Sequence, residues 1–248
     1  MNEALRTLLG VLRSLRIYHG DRKRHAAMDR LYAQFVQPGD LVFDIGAHVG
    51  DRVAAFRRLG ARVVAVEPQP ALARTLRLLF CLSRKVAVEA VAVGREAGTT
   101  VLRLNIDNPT VSTASGDFIQ AADGAPGWHG QAWTREITVP VATLDHLIAR
   151  HGMPAFIKID VEGFEAEALH GLTRTVPALS FEFTTIQRDV AQAALKRCQA
   201  LGLLRYNAAL GESQTLAHED WQSADEIARW LATLPVEANS GDIYARLA

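Results

Sequence analysis

The 248-residue chain has two cysteines, three methionines, few aromatic residues (7%) and no net formal charge. Cys81 and Cys198 stand far apart and lack metal-ligand spacing, so a cysteine-based metal site is excluded; both read as reduced core residues, which fits a reducing compartment. Lys+Arg 27 against Asp+Glu 27 removes the global electrostatic footprint of a nucleic-acid binder. No run approaches the ~18 uncharged apolar residues of a membrane span. Arg6, Arg13 and Arg16 interrupt the apolar runs near the start before the core of a secretory signal could form. A cytoplasmic protein with neither a nucleic-acid partner nor a membrane span is expected. What remains is ordinary for a globular chain: 49% hydrophobic and 22% charged residues, long enough for one large domain with a sizeable core.

Leu5, Leu8, Leu9, Leu12 and Leu15 recur at helical spacing, with arginines on the remaining faces. The pattern predicts an amphipathic helix packed on the domain or on another subunit, and such a basic helix can also lie on a membrane surface. A charged stretch separates it from a second helix ending near Phe35, and Pro38-Gly39 closes the segment. Residues 1–39 are therefore expected to form a helical extension, a candidate contact for homo-oligomers. Residues 40–248 change rhythm. Buried strands are predicted at residues 41–43, 62–66, 86–93, 155–159 and 178–183. Helices are predicted at residues 53–59, 71–82 and 187–201, with another ending near Leu169. Alternation of this kind implies an α/β fold with a mostly parallel sheet and helices on both faces. Residues 94–143 break the alternation with strands at 100–106 and 136–142. Between those strands lies a Gly-, Ser- and Thr-rich segment that reads as a lid ordered by Trp128 and Trp133, with Ser112, Thr113 and Ser115 as candidate ligand contacts. A final helix carrying Ile227, Trp230, Leu231 and Leu234 precedes a short strand, residues 242–245, expected at the sheet edge.

The strongest local motif is Phe43-Asp44-Ile45-Gly46-Ala47-His48-Val49-Gly50, directly after the first sheet strand. Gly46 and Gly50 permit a turn whose backbone approaches a ligand closely, at the strand end where open α/β sheets bind nucleotide-like molecules. The spacing is G-x-x-x-G, and the G-x-G-x-x-G of dinucleotide binders is absent. Asp44 brings negative charge to that turn, which suits a cationic ligand better than a pyrophosphate. Glu67, in Val66-Glu67-Pro68, ends the second strand and can accept both hydroxyls of a ribose. An acid for a cation, a glycine turn and an acid for a diol together match S-adenosylmethionine.

The chain resembles the FkbM-type family of S-adenosylmethionine-dependent methyltransferases from about Leu41 to Ala245. The most specific stretch is Ile157-Lys158-Ile159-Asp160-Val161-Glu162-Gly163, which is similar to the family's I-K-I-D-V-E-G signature at every position. Val139-Pro140-Val141-Ala142-Thr143-Leu144-Asp145 and Ser240-Gly241-Asp242-Ile243-Tyr244-Ala245 resemble its flanking strands. His48 departs from the pattern, standing where many members carry Asn. The resemblance implies a Rossmann-like class I methyltransferase fold with a seven-stranded sheet. It implies cofactor contacts from Asp44, Gly46, Ala47, His48, Gly50, Glu67 and Asp160, with the adenine against Val91 and Ala92. It also implies a small-molecule hydroxyl acceptor, a secondary metabolite or a sugar.

The signature has a reading of its own. Alternation puts Lys158, Asp160 and Glu162 on one face of a strand end, where a lysine in apolar surroundings is costly unless paired or used. Gly163 allows a sharp exit into the next helix. Glu182, between Phe181 and Phe183, is either a site residue or a paired buried charge. Asp160, Glu162 and Glu182 are expected to border the acceptor, with Asp160 or Glu162 as base and Lys158 orienting them. The same three acids are candidate ligands for a divalent metal ion. Two alternatives stand beside the enzyme: a module that binds the cofactor without catalysis, and an NAD-dependent oxidoreductase, which the missing G-x-G-x-x-G and Asp44 disfavour.

Overall fold

The computed structural model describes residues 3–248; Met1 and Asn2 of the expected extension lie outside them. Helix α1 (Glu3–His19) and helix α2 (Arg22–Tyr32) come first, α2 capped by Asp21, which accepts from the Lys23 and Arg24 backbone N–H groups. The two helices differ in role. Met28, Leu31 and Tyr32 of α2 are buried in the core. Helix α1 packs on the domain through Gly10, Val11, Ser14 and the half-buried Leu15, and leaves the other leucines of the expected stripe, Leu5, Leu8, Leu9 and Leu12, about half exposed.

Next come β1 (Leu41–Ile45), α3 (Asp51–Arg58), β2 (Arg62–Val66), α4 (Pro70–Leu79) and β3 (Val86–Glu89). Pro70 sits in the first turn of α4, where a missing N–H costs nothing. The strand expected over residues 86–93 is two: β3 stays in the main sheet, and β4 (Ala92–Val93) leaves it to pair with a later strand. Then follow β5 (Gly98–Leu104), α5 (Gly116–Ala122), β6 (Arg135–Ala142), α6 (Leu144–His151), β7 (Phe156–Ile159), α7 (Glu165–His170), β8 (Ala178–Thr184), α8 (Arg188–Ala200), β9 (Arg205–Leu210), α9 (Ala224–Thr233) and β10 (Ser240–Arg246).

The seven-stranded sheet runs β3-β2-β1-β7-β8-β10-β9, parallel except for β10, which is antiparallel to both neighbours. β10 is thus an inner strand and not the edge. The edge is β9, which the sequence reading passed over. Its Arg-Tyr-Asn-Ala-Ala-Leu carries neither a β-branched run nor alternation. β1 and β7 are buried at every position, because helices cover both sheet faces. One face holds Phe43, Ile45, Ile157, Leu179 and Phe181 against α6 to α9; the other holds Val42, Val63 and Phe156 against α2 and α3. A second sheet, β4-β6-β5, lies beyond the main one. The expected lid segment is ordered around Phe118: Trp128 and Trp133 stand edge-on to that ring, and Trp133 Nε1 donates to the Val111 carbonyl at 2.7 Å. Cys198 is buried as expected, but Cys81 is exposed, because it follows the end of α4 outside the core.

Candidate functional site

The C-terminal ends of β1, β2, β7 and β8 open on a cavity of about 330 Å3. Strand β1 delivers Asp44, 1% exposed, and the chain then turns through Gly46 with φ +81°. The N–H groups of Gly46 and Ala47 both donate to the Val66 carbonyl, at 2.9 and 3.0 Å, which ties the turn to β2. A Cβ on Gly46 would lie 1.8 Å from the Asp160 carbonyl oxygen, so glycine is required there by the neighbouring strand. Gly46 lines the cavity and Gly50 does not. Gly50 has φ +80°, and a Cβ there would meet Leu76 and Phe80 of the α4 region, so its smallness serves packing.

Glu67 follows β2 and is held from two sides. It accepts from the His48 N–H at 2.9 Å and the Gln69 N–H at 2.8 Å, with one carboxylate oxygen for each. Burial still pushes its carboxyl up to about 7. Asp44 is likewise raised to about 7 by burial, which Lys158 counters only in part, and its Oδ2 has no hydrogen-bond partner. A buried acid with a free oxygen is costly unless a ligand completes it. A cationic amino or sulfonium group does so, and S-adenosylmethionine carries both. His48, at φ 47°, presents its ring edge to Tyr18 and is pushed down to about 4 by burial. It is neutral, and its departure from Asn leaves the backbone contact to Glu67 intact. Val91 and Ala92, the expected adenine neighbours, line the same cavity.

The signature strand brings the second group together. Lys158 is 2% exposed and donates to Asp160 Oδ2 at 2.7 Å; Asp242 Oδ1 lies 3.5 Å from its ammonium nitrogen. Burial opposes the lysine's charge, but Asp160 and Asp242 outweigh it and hold the group well above its ordinary value. Burial works against Asp160 too, and Lys158 overrides it, leaving the carboxyl below its usual range. Glu162, at φ 52°, and Glu182 on β8 go the other way: burial first and Asp160 next push both well above the carboxylate range. One oxygen from each of Asp160, Glu162 and Glu182 lies within 4.8 Å of the others. Within this cluster Lys158 favours the ionised form of Asp160, and burial favours the protonated forms of Glu162 and Glu182.

Three contributors were not singled out from the sequence. Asp242, paired in register with Glu182 on β10, completes the surroundings of Lys158; a lone acid in an apolar closing strand was the available signal. Glu165, raised to about 7 by burial, accepts from the Val161 and Gly163 N–H groups and pins the signature loop. At the cavity mouth Asp51 binds Arg24 (3.0 Å) and Arg52 (2.5 Å), and Glu212 binds both arginines at 2.9 Å. That network joins α2, α3 and the loop after β9, which no local spacing reveals. From the expected lid, Ser112 lines the cavity, whereas Thr113 donates to the Glu162 carbonyl at 2.6 Å and Ser115 caps α5.

A mostly parallel sheet in this order, with acids closing β1 and β2 around a glycine turn, defines the class I S-adenosylmethionine-dependent methyltransferase fold. The profile of the Methyltransferase FkbM domain matches residues 44–239, and the chain belongs to that family. It is 28% identical over 166 residues to the hexuronic acid methyltransferase AglP of Haloferax volcanii, a match covering 65% of this chain and 62% of that protein. Among solved structures, the precorrin-6Y C5,15-methyltransferase of Geobacter metallireducens is 13% identical with a TM-score of 0.45, covering 90% of this chain and 87% of that one. Aeropyrum pernix fibrillarin, solved with S-adenosyl-L-methionine, is 12% identical with a TM-score of 0.44, covering 85% and 68%.

Proposed function

We propose that this chain transfers a methyl group from S-adenosylmethionine to a hydroxyl of a small molecule, and that the acceptor is a sugar or similar polyol. The observation that carries the reading is the buried acid pair at the ends of β1 and β2: Asp44, with a free oxygen, and Glu67, fixed by two backbone donors. Asp44 would face the cofactor's positive charge, Glu67 its ribose hydroxyls, and Val91 and Ala92 its adenine. When bound, the cofactor supplies an activated carbon and a good leaving group.

The chain's own task is to hold the acceptor in line and to manage its proton. Asp160 is the ionised carboxylate of the cluster and is assigned as the base; Lys158 fixes its orientation from below. Burial favours the protonated forms of Glu162 and Glu182, which would donate to acceptor oxygens. The cations lining the cavity, Arg52 and Lys158, are already matched by Asp51, Glu212 and Asp160. A carboxylate on the acceptor would have to compete with Asp51, Glu212 and Asp160 for these cations, so a neutral sugar hydroxyl fits better than a hexuronate. The AglP likeness supports the sugar class.

A second reading places a divalent cation on Asp160, Glu162 and Glu182, favoured by the 4.8 Å grouping of their oxygens. It would polarise the acceptor hydroxyl and draw the protons off both glutamic acids. Radiolabelled S-adenosylmethionine offered with neutral glycosides and hexuronic acids, with and without chelator, tests both readings. Label on a neutral sugar in the presence of chelator is the expected result. Label only on hexuronates would overturn the acceptor assignment, and strict loss on chelation would transfer the site to the metal reading.

A further inference from the structure

We propose that α1, together with the end of α4, is a docking surface for an anionic membrane leaflet. Helix α1 is two-sided. Gly10, Val11 and Ser14 pack inward, and a Cβ on Gly10 would stand 2.9 Å from the Ile106 carbonyl. On the opposite side Leu5, Leu8, Leu9 and Leu12 are 47%, 53%, 47% and 51% exposed. At about 100° per residue these four form one stripe along the helix. Single exposed leucines are ordinary on a soluble surface, but a contiguous row marks an interaction site.

A second segment repeats the chemistry. Helix α4 packs beside α1, and at its end Leu78, Leu79 and Leu82 are 74%, 47% and 97% exposed. Residues 70–85 contain no acid, while Arg74, Arg77, Arg84 and Lys85 are all exposed. On α1, Arg13 and Arg16 are exposed beside the leucines; Arg6 is engaged with Asp107. A chain with no net charge thus gathers bare leucines and positive charge on one pair of helices.

The charge selects the occupant. A second copy docked through this face would bring together two surfaces that each carry Arg13, Arg16, Arg74 and Arg77, and like charges disfavour that pairing. Anionic headgroups neutralise the arginines while the leucines enter the boundary of the acyl chains. Leu8 also borders an apolar cleft of about 490 Å3 between α1, α4 and β5, walled by Val11, Leu72 and Ile106. It leaves apolar surface at the same junction uncovered.

Co-sedimentation of the full chain with phosphatidylcholine vesicles, with and without phosphatidylglycerol, tests the proposal. The expected result is binding that requires phosphatidylglycerol, is released by salt, and weakens about tenfold or more in Leu8→Glu/Leu12→Glu and in Arg13→Glu/Arg16→Glu. The arginine variant should keep the wild-type melting temperature, since Arg13 and Arg16 are exposed, and the leucine variant should stay folded, since Leu8 and Leu12 are about half exposed; should the leucine pair fail to fold, the arginine pair carries the test. Absence of binding, indifference to phosphatidylglycerol, or unchanged binding by folded variants overturns it. A dimer in light scattering that Leu8→Glu/Leu12→Glu abolishes, with no vesicle binding by wild type, assigns the face to a second copy instead.

Discussion

Lys158 shows how one side chain sets the chemistry of its neighbours. An ammonium group at 2% exposure is tolerable only because Asp160 and Asp242 flank it, and its presence holds Asp160 below the usual carboxylate range, while burial and the Asp160 charge push Glu162 and Glu182 above it. Lys158→Met removes the cation and leaves two carboxylates without their partner, one of them deeply buried. The expected cost is about 3 kcal/mol, read as a lowered midpoint in urea. The assignment of the base makes a separate prediction in the pH dependence of kcat at saturating S-adenosylmethionine and acceptor, where the proposed cofactor acids Asp44 and Glu67 are already engaged. A base must be deprotonated to act, so activity rises with pH through the pKa of that group. With Asp160 as base, the profile should already be flat above the ordinary carboxylate range. A limb that keeps rising well above that range would move the role to Glu162. The pairing of Lys158 with Asp160 was legible from the sequence, because a lysine in an apolar strand demands a partner. Asp242 was not, since it reaches the site from a strand more than eighty residues away.

At the scale of elements, β1, β2, β7 and β8 were readable because buried parallel strands are short apolar runs bounded by turn residues. Reading failed where the chain changes sheet. Residues 86–93 are apolar except for Glu89, and tertiary pairing separates β3 from β4. β9 failed for the opposite reason, its alanines and Asn207 giving no strand signal. The glycine turn was found, but its cause was only half legible. A ligand was the expected reason for both glycines, whereas Gly46 is forced by the Asp160 carbonyl and Gly50 by Leu76 and Phe80. This yields a paired prediction. Gly46→Ala meets a backbone oxygen at 1.8 Å and also keeps a positive φ, so it should lose at least about 3 kcal/mol or fail to fold. Gly124→Ala, at φ +72° with nothing within 4 Å, should cost only about 1 kcal/mol. Equal melting temperatures for the two variants would contradict the packing account.

The molecule as a whole holds three buried carboxyls, Asp44, Glu67 and Glu165, raised to about 7. Each binds its proton more tightly folded than unfolded, so its stabilising effect is complete below the unfolded pKa near 4 and is lost as pH rises through about 7. The cofactor-free protein should therefore melt higher at pH 5.5 than at pH 8, by an amount on the order of 1–3 kcal/mol per group. Asp44→Asn should flatten part of that slope. A melting temperature that climbs steadily from pH 5.5 to 8 would contradict the burial assigned to these acids. Two of these acids, Asp44 and Glu67, are also those proposed to hold the cofactor, so site and stability are linked.

A cationic nucleoside is proposed to bind where β1 and β2 end, and calorimetric titration of S-adenosylmethionine into wild type, Asp44→Asn and Glu67→Gln tests this most directly. The predicted result is one site per wild-type chain, with affinity falling at least about tenfold in each variant while both remain folded. No binding by the folded wild type, or equal affinity in all three proteins, would contradict it.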